Sequence, residues 1–187
     1  MPRYKTPIDQ LLREEDVSSM LSFATEQKWK QDALLICMCW KTGARTHEIS
    51  ELKKEDFKIF NDKLQIRLHT EKKGESNSFI LRERTLEFAR PRGVELDLYV
   101  ENIVQHVEEL APGQPFFDFG DRWMQKRLNI IGLKVLGREV CVYHFRHSAM
   151  TREAGKGHGT PDLMHFKGAK NPRSVDGYLH ATPYVVK

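Results

Sequence analysis

"FKIFNDKLQIRLHTEKKGESNSFIL", Phe57 to Leu81, decides the fold class. In its middle run Leu64, Ile66 and Leu68 fall on one face of an extended chain with polar residues between them, the period-two pattern of a half-buried strand. A two-residue "ND" turn separates this run from "FKIF". The polar turn "TEKKGESNS" then leads into "FIL", Phe79 to Leu81. Three short strands joined in this way predict a small antiparallel sheet.

The chain on either side has helical spacing. "REEDVSSMLSFATEQ" puts Val17, Met20, Leu21 and Ala24 on one face, and the more apolar "KQDALLICMCWKTG", which Gly43 can end, is the expected central helix. "THEISELKKEDF" reads as a third helix with Ile49 and Leu52 inward. Beyond the sheet, "ELDLYVENIVQHVEEL" is a helix closed by "APGQP", and "DRWMQKRLNIIGLKVLG" another with Arg122, Lys126 and Arg127 on its exposed side. "YHFRHSAMTREAGKG" follows. Thr160-Pro161 and Asn171-Pro172 each supply an N-cap residue and a proline at the first helical position, opening the short helices "PDLMHF" and "PRSVDGYLH". The expectation is an α+β, mainly α, single domain over residues 1–187 with a small three-stranded antiparallel sheet. About ten residues form an N-terminal lead and 181–187 a C-terminal tail.

Composition narrows the function classes. The 187 residues are 40% hydrophobic and 30% charged with a net charge of +4, which permits an anionic partner without requiring one. From Arg146 to Lys187 seven Lys or Arg face three Asp or Glu, so this segment alone carries the surplus of the whole chain. Cys37, Cys39 and Cys141 are odd in number, and two of them lie in an apolar helix, so all three read as reduced thiols of a cytoplasmic protein. No apolar run reaches the length of a membrane span, and "MPRYKTPIDQ" lacks the apolar stretch of a signal peptide.

"VYHFRHS", Val142 to Ser148, invites a metal reading, because His144 and His147 are three apart and could share a helix face. Two ligands do not make a site, and neither His-Glu-x-x-His nor Cys-x-x-Cys is present, so no metal is expected. The arginines are more informative. Arg45 stands directly after an apolar helix and at the mouth of the next, where a guanidinium lies beside free helix N–H groups, a setting suited to an anion. Arg146 comes a hundred residues later with Tyr143 one turn before it, and Tyr178 lies in "RSVDGYLH" within the basic segment.

Together these stretches resemble the tyrosine recombinases, the phage-integrase family. "TGARTHEISELKKEDF" resembles the first arginine box, with Arg45, Glu48 and Asp56 in its places. "YHFRHS" resembles the second box, with Arg146 as its arginine and His147 after it. "YLH" resembles the final box, in which a nucleophilic tyrosine lies two before a histidine. "KKGESNSFIL" is similar to the hairpin that carries the family's lysine; Lys72 fits that place best, and Lys73 is its neighbour. The likeness covers roughly residues 10 to 180.

The resemblance implies a helical catalytic domain that breaks a phosphodiester with neither metal, ATP nor any cofactor. Tyr178 would attack the scissile phosphate to give a 3′-phosphotyrosyl enzyme, Arg45 and Arg146 would hold the phosphate oxygens, and Lys72 would protonate the leaving 5′-hydroxyl. Nearby guanidinium groups are expected to favour the Tyr178 phenolate over its usual pKa of about 10. The implied partners are double-stranded DNA at an attachment site and further copies of the chain, a tetramer on DNA, in a nucleoid-associated protein with no membrane role. Lys73, Arg122, Lys126, Arg127, His165, Lys167, Lys170 and Arg173 are the expected DNA contacts. Family members carry an upstream DNA-binding domain, and its expected absence here makes the chain a catalytic fragment.

Two positions depart from the family pattern. Tyr143 stands where a histidine is usual, a feature that integrases of some archaeal plasmids and viruses share by placing Tyr or Lys there. Ala169 stands where a histidine nine before the tyrosine is usual, leaving His165, Lys167 and Lys170 as the candidates for that role. His144 falls off the required face, and His147 reads as structural. Tyr143 can bind a phosphate oxygen but is a poor acid or base, so slow turnover is expected unless another group helps. Two rival readings stand beside recombination: a type IB topoisomerase, and a catalytically inert DNA-binding relative, which the loss of both histidines favours.

Overall fold

Val17, Met20, Leu21 and Ala24 are buried along one face of helix α1 (Glu14–Glu26) in the computed structural model, which describes residues 11–73, 79–91 and 96–179 and, for 70–73 and 79–82, the backbone alone. Helix α2 (Lys30–Thr42) is buried on nearly every side, from Ala33 through Trp40, and packs against α1, α4 and α6, which makes it the expected central element. Gly43 ends it with φ at +53°, a left-handed conformation open to glycine at low cost.

The next helix is shorter than its sequence suggests. Helix α3 runs only from Thr46 to Ser50, and a separate 3-10 turn covers Lys54–Asp56. Ile49 and Leu52 are both buried, as the spacing predicts. The helix stops because the backbone around Leu52 finds partners elsewhere: the Leu52 carbonyl accepts the Phe116 N–H at 2.8 Å, and the Lys54 N–H donates to the Gln114 carbonyl at 3.0 Å. The Asp56 carboxylate then caps the 3-10 turn by accepting the Lys53 N–H at 3.0 Å.

The sheet is three-stranded and antiparallel, in the order β1 (Phe57–Ile59), β2 (Lys63–Lys73), β3 (Phe79–Ala89). Leu64, Ile66 and Leu68 face the core, and Ile66 pairs with Phe57 on one side and Leu86 on the other. Two expectations are corrected. Strand β2 continues through Lys72 and Lys73, which the sequence assigned to a turn, with Lys72 opposite Ile80; residues 74–78 of that turn lie outside the described residues. Strand β3 extends eight residues past Leu81, because Arg84, Leu86 and Phe88 alternate as buried residues although the first is charged.

Helix α4 (Leu98–Glu109) begins after Asp97, whose carboxylate accepts the N–H groups of Tyr99 and Val100, both at 3.1 Å. Helix α5 (Asp121–Leu136) leaves Arg122 and Lys126 exposed, but the expectation for Arg127 is overturned. Its guanidinium is paired with the buried carboxylate of Asp32 and lies 4.3 Å over the Trp29 ring, because α5 packs against α1 and α2 there. Helix α6 (Val142–Gly155) follows the sequence expectation. Helix α7 (Thr160–Lys167) takes Gly159 rather than Thr160 as its N-cap residue, the Gly159 N–H donating to Asp162 at 3.2 Å. Past it, the single helix expected from Pro172 is a 3-10 turn, Pro172–Ser174, followed by α8 (Asp176–Leu179); the Asn171 side chain accepts the Arg173 N–H at 3.0 Å. No helix of the described residues is long and apolar enough to cross a membrane.

Candidate active site

Gly43 sets the first part of the site. A Cβ at this position would lie 2.9 Å from the Ala149 Cβ and 3.6 Å from the Arg146 Cα, so glycine lets the end of α2 rest directly on α6. Its carbonyl accepts the Arg146 Nη1–H at 2.6 Å. Two residues on, Arg45 is the N-cap residue of α3; its N–H donates to Glu48 Oε2 at 2.8 Å and its Nη1 to Glu48 Oε1 at 3.0 Å. Glu48 is buried and also takes both arms of Arg84 from β3, at 2.8 and 2.9 Å. One carboxylate thus orients two guanidinium groups.

Arg146 occupies the middle. The second arm of its guanidinium donates to the Lys167 carbonyl at 2.6 Å, so the group is held between the end of α2 and the end of α7. Burial, and then the neighbouring Arg45, lower its pKa to about 10, which leaves it charged at neutral pH. The strongest repulsion on Arg146 comes from Arg45, so the two predicted arginines do converge. Arg146, held by two neutral carbonyls beside the Glu48-paired Arg45, forms a ready receptor for an anion.

Tyr178 faces this pair from α8. Its hydroxyl lies 3.2 Å from Nδ1 and 3.4 Å from Nε2 of His147, and the imidazole is flanked by the Tyr143 ring, at 4.1 Å between centroids, and the Tyr178 ring, at 5.3 Å. The tautomer of His147 decides which nitrogen accepts the hydroxyl hydrogen. Burial, then the charges of Lys167 and Arg146, push the His147 pKa down to about 4, so this imidazole is neutral and can accept. The expectation for Tyr178 itself is corrected. Burial, then Tyr143, raise its pKa to about 12, and the opposing pull of Arg146 is smaller, so the resting side chain is a phenol rather than a phenolate.

Lys167 completes the group. Its ammonium lies 5.0 Å from the Tyr178 ring centroid and donates to the Ser174 carbonyl at 2.5 Å. Burial, then Arg146 and Arg45, lower its pKa to about 8. His144, as expected, turns away: its Nδ1 accepts the Cys141 N–H at 3.1 Å and caps α6.

The remaining predicted residues divide. Lys170 and Arg173 are exposed near the site, while Arg122 and Lys126 are exposed on α5. The imidazole of His165, exposed overall, meets the Thr85 carbonyl at 2.9 Å through Nε2. The side chains of Lys72 and Lys73 lie outside what is described. Among the described residues no group of three or more His, Cys, Asp or Glu is placed to hold a metal. Sequence reasoning missed the contact of His147 with Tyr178 and the whole contribution of Arg84. An arginine at an inward position of a strand was the one available signal for the latter.

No protein-family model matches the chain, and no curated protein matches it. Solved structures do share its fold. XerA recombinase aligns over 100% of this chain and 68% of its own, with a TM-score of 0.71 at 15% identity. XerH site-specific recombinase, bound to a palindromic difH substrate in a post-cleavage complex, aligns over 91% of this chain with a TM-score of 0.67 at 19% identity. The catalytic domain of bacteriophage HP1 integrase aligns over 94% of this chain and 89% of its own, with a TM-score of 0.54 at 16% identity. This chain spans 49% of the XerH chain, about half its length.

Proposed function

We infer phosphoryl-transfer chemistry from the fold, which is that of the tyrosine-recombinase catalytic domain, mainly helical with a small antiparallel sheet. We propose that the chain cuts and rejoins double-stranded DNA as a site-specific recombinase, through a covalent 3′-phosphotyrosyl intermediate at Tyr178. The observation that carries this is the convergence of a phenol hydroxyl, a neutral imidazole and the Arg45–Arg146 pair, contributed by helices far apart in sequence. Solved chains of the same fold, XerH and the Tn1549 transposon integrase, were captured with DNA, which supports DNA as the partner.

The scissile phosphodiester binds between Arg45 and Arg146, whose guanidinium groups neutralise its non-bridging oxygens. Its negative charge raises the pKa of His147, which accepts the phenol proton as Tyr178 Oη attacks phosphorus. The Oη–P bond forms, the P–O5′ bond breaks, and Lys72 gives a proton to the departing 5′ oxygen. Tyr143, its ring tilted against His147, keeps the imidazole against the phenol and offers its own hydroxyl to a phosphate oxygen. The phosphotyrosine conserves bond energy, so a 5′-hydroxyl from a second duplex reverses the reaction without ATP or metal. Strand exchange follows in a tetramer of copies on two DNA sites, with Lys73, Lys170, Arg173, Arg122 and Lys126 toward the duplex.

The test is covalent capture. Nicked duplexes, drawn from a randomised pool by retention on the protein, are incubated with the wild-type chain and run on a denaturing gel. A protein–DNA adduct is expected, and Tyr178→Phe should abolish it; an adduct that survives this substitution would move the nucleophile to Tyr184. The high pKa of Tyr178 favours a second reading, an inert DNA-binding relative, for which retained DNA would give no adduct. A type IB topoisomerase would form the adduct and relax supercoils without joining one duplex to another.

A further inference from the structure

We propose that Lys167 is a further catalytic residue, whose ammonium binds a non-bridging oxygen of the scissile phosphate alongside Arg45 and Arg146, taking the role, though not the position, of the histidine that Ala169 replaces. This rests on the reading of Tyr178 as nucleophile. Three observations place the ammonium there. Its Nζ lies 5.0 Å from the Tyr178 ring centroid, on the side chain that must meet the phosphate. Its own backbone carbonyl holds the Arg146 guanidinium at 2.6 Å, so the Arg146 side chain ends where the Lys167 side chain begins. The Nζ donates to the Ser174 carbonyl at 2.5 Å, which ties the stem to the segment carrying Tyr178.

Ala169 lies elsewhere. It lines a cavity of about 180 Å³ with Glu83, Arg84, Met164, His165, Gly168 and Lys170. The αL turn at Gly168, where a Cβ would lie 2.6 Å from Arg84 Nη1, separates Lys167 from that cavity. Of the alternatives for the missing histidine, the His165 imidazole meets the Thr85 carbonyl and Lys170 is exposed.

The electrostatics agree with this position. The charged or titratable groups that act on or touch Lys167 are Arg45 at α3, Arg146 and His147 on α6 and Tyr178 on α8, with Arg84 of β3 against the adjoining Phe166 carbonyl. Burial, then Arg146 and Arg45, set the ammonium near a pKa of about 8, whereas His147 lies near 4, Arg146 near 10 and Tyr178 near 12. An ammonium held among like charges gains most when an anion arrives. No proton leaves it during the reaction; it donates hydrogen bonds to the phosphate as charge builds on the equatorial oxygens.

The experiment compares wild type, Lys167→Ala, Lys167→Met and Lys167→Arg in adduct formation on the captured nicked duplex, with thermal melting alongside. Removing one such donor is expected to slow cleavage about 10²-fold in the Ala and Met variants. The Arg variant should remain within about tenfold of wild type, the size of a displaced but retained charge. In wild type kcat/KM should fall as pH rises through about 8, and in the Arg variant this limb should disappear, which separates Lys167 from any other group titrating there, Lys72 included. Equal cleavage by wild type and Lys167→Ala would overturn the role of Lys167 while leaving Tyr178 as nucleophile. So would equal losses in all three variants accompanied by a lowered melting temperature, because that pattern marks a structural tether to Ser174. No adduct from wild type would overturn both readings together.

Discussion

Arg84 and Glu48 form a buried bidentate pair, Nη1 to Oε1 at 2.8 Å and Nη2 to Oε2 at 2.9 Å, and the same carboxylate holds Arg45. Arg84 also donates from Nε to the Phe166 carbonyl at 3.2 Å, so one strand residue ties Glu48 and its partner Arg45 at α3 to the end of α7. Removing Arg84 takes from the buried Glu48 carboxylate its buried bidentate partner and leaves it the more exposed Arg45. Arg84→Met should therefore cost about 3–5 kcal/mol in a denaturant titration. The cleavage rate of the molecules that remain folded should also fall, because Glu48 no longer holds Arg45 in one place. A loss below about 1 kcal/mol would show that the pair is not what organises the site.

Gly43→Ala should be destabilising by about 1–3 kcal/mol, since it places a Cβ at φ +53° and 2.9 Å from the Ala149 Cβ. Adding Ala149→Gly removes the contact but not the backbone strain, so melting of the double variant should recover part of the loss. Full recovery would mean that the left-handed turn costs alanine nothing.

Arg146→Ala should reduce adduct formation by at least 10³-fold, because both the phosphate contact and the bridge between Gly43 and Lys167 disappear. Tyr143→Phe keeps the ring against His147 and should slow cleavage only about tenfold. Single-turnover rates check both. Equal small effects would mean that Arg146 does not bind the scissile phosphate.

His147 gives a pH signature of folding. Its folded pKa of about 4 lies below the unfolded value of about 6.5, so the unfolded chain binds the proton more readily. The stability tied to the neutral imidazole is fully present above pH 6.5 and is lost as pH falls from there toward 4. Allowing for partial exposure, the loss should be about 1–2 kcal/mol, read from denaturant curves across that range. His147→Gln should flatten this part of the profile and weaken Tyr178 attack.

Arg127 should behave as a structural residue. Arg127→Met leaves the Asp32 carboxylate buried without its guanidinium and should cost about 2–4 kcal/mol, with DNA retention per folded molecule unchanged. The pair Arg122→Ala and Lys126→Ala should do the opposite, weakening DNA retention and its salt dependence at unchanged stability. Retention assays at two salt concentrations distinguish the cases.

Local chemistry was legible in the sequence. Period-three and period-four apolar spacing marked α1 and α2, alternation marked β2, and Gly43 followed by Arg45 marked a helix end beside a helix start, because each depends on residues within a turn of one another. Where local signals were overridden, the cause was a distant partner: the 114–116 segment ended α3 early, and a charged but buried Arg84 concealed most of β3.

The working geometry of the site was decided by tertiary structure. Arg84 meets Glu48 across 36 positions, Tyr178 meets His147 across 31, and Arg146 meets the Lys167 carbonyl across 21. No periodicity encodes such pairs, because they arise only when α2, α6, α7 and β3 pack together. Burial then shifted the titrations, raising the Tyr178 phenol and lowering the His147 imidazole, since desolvation depends on the whole surrounding fold rather than on neighbours in the chain.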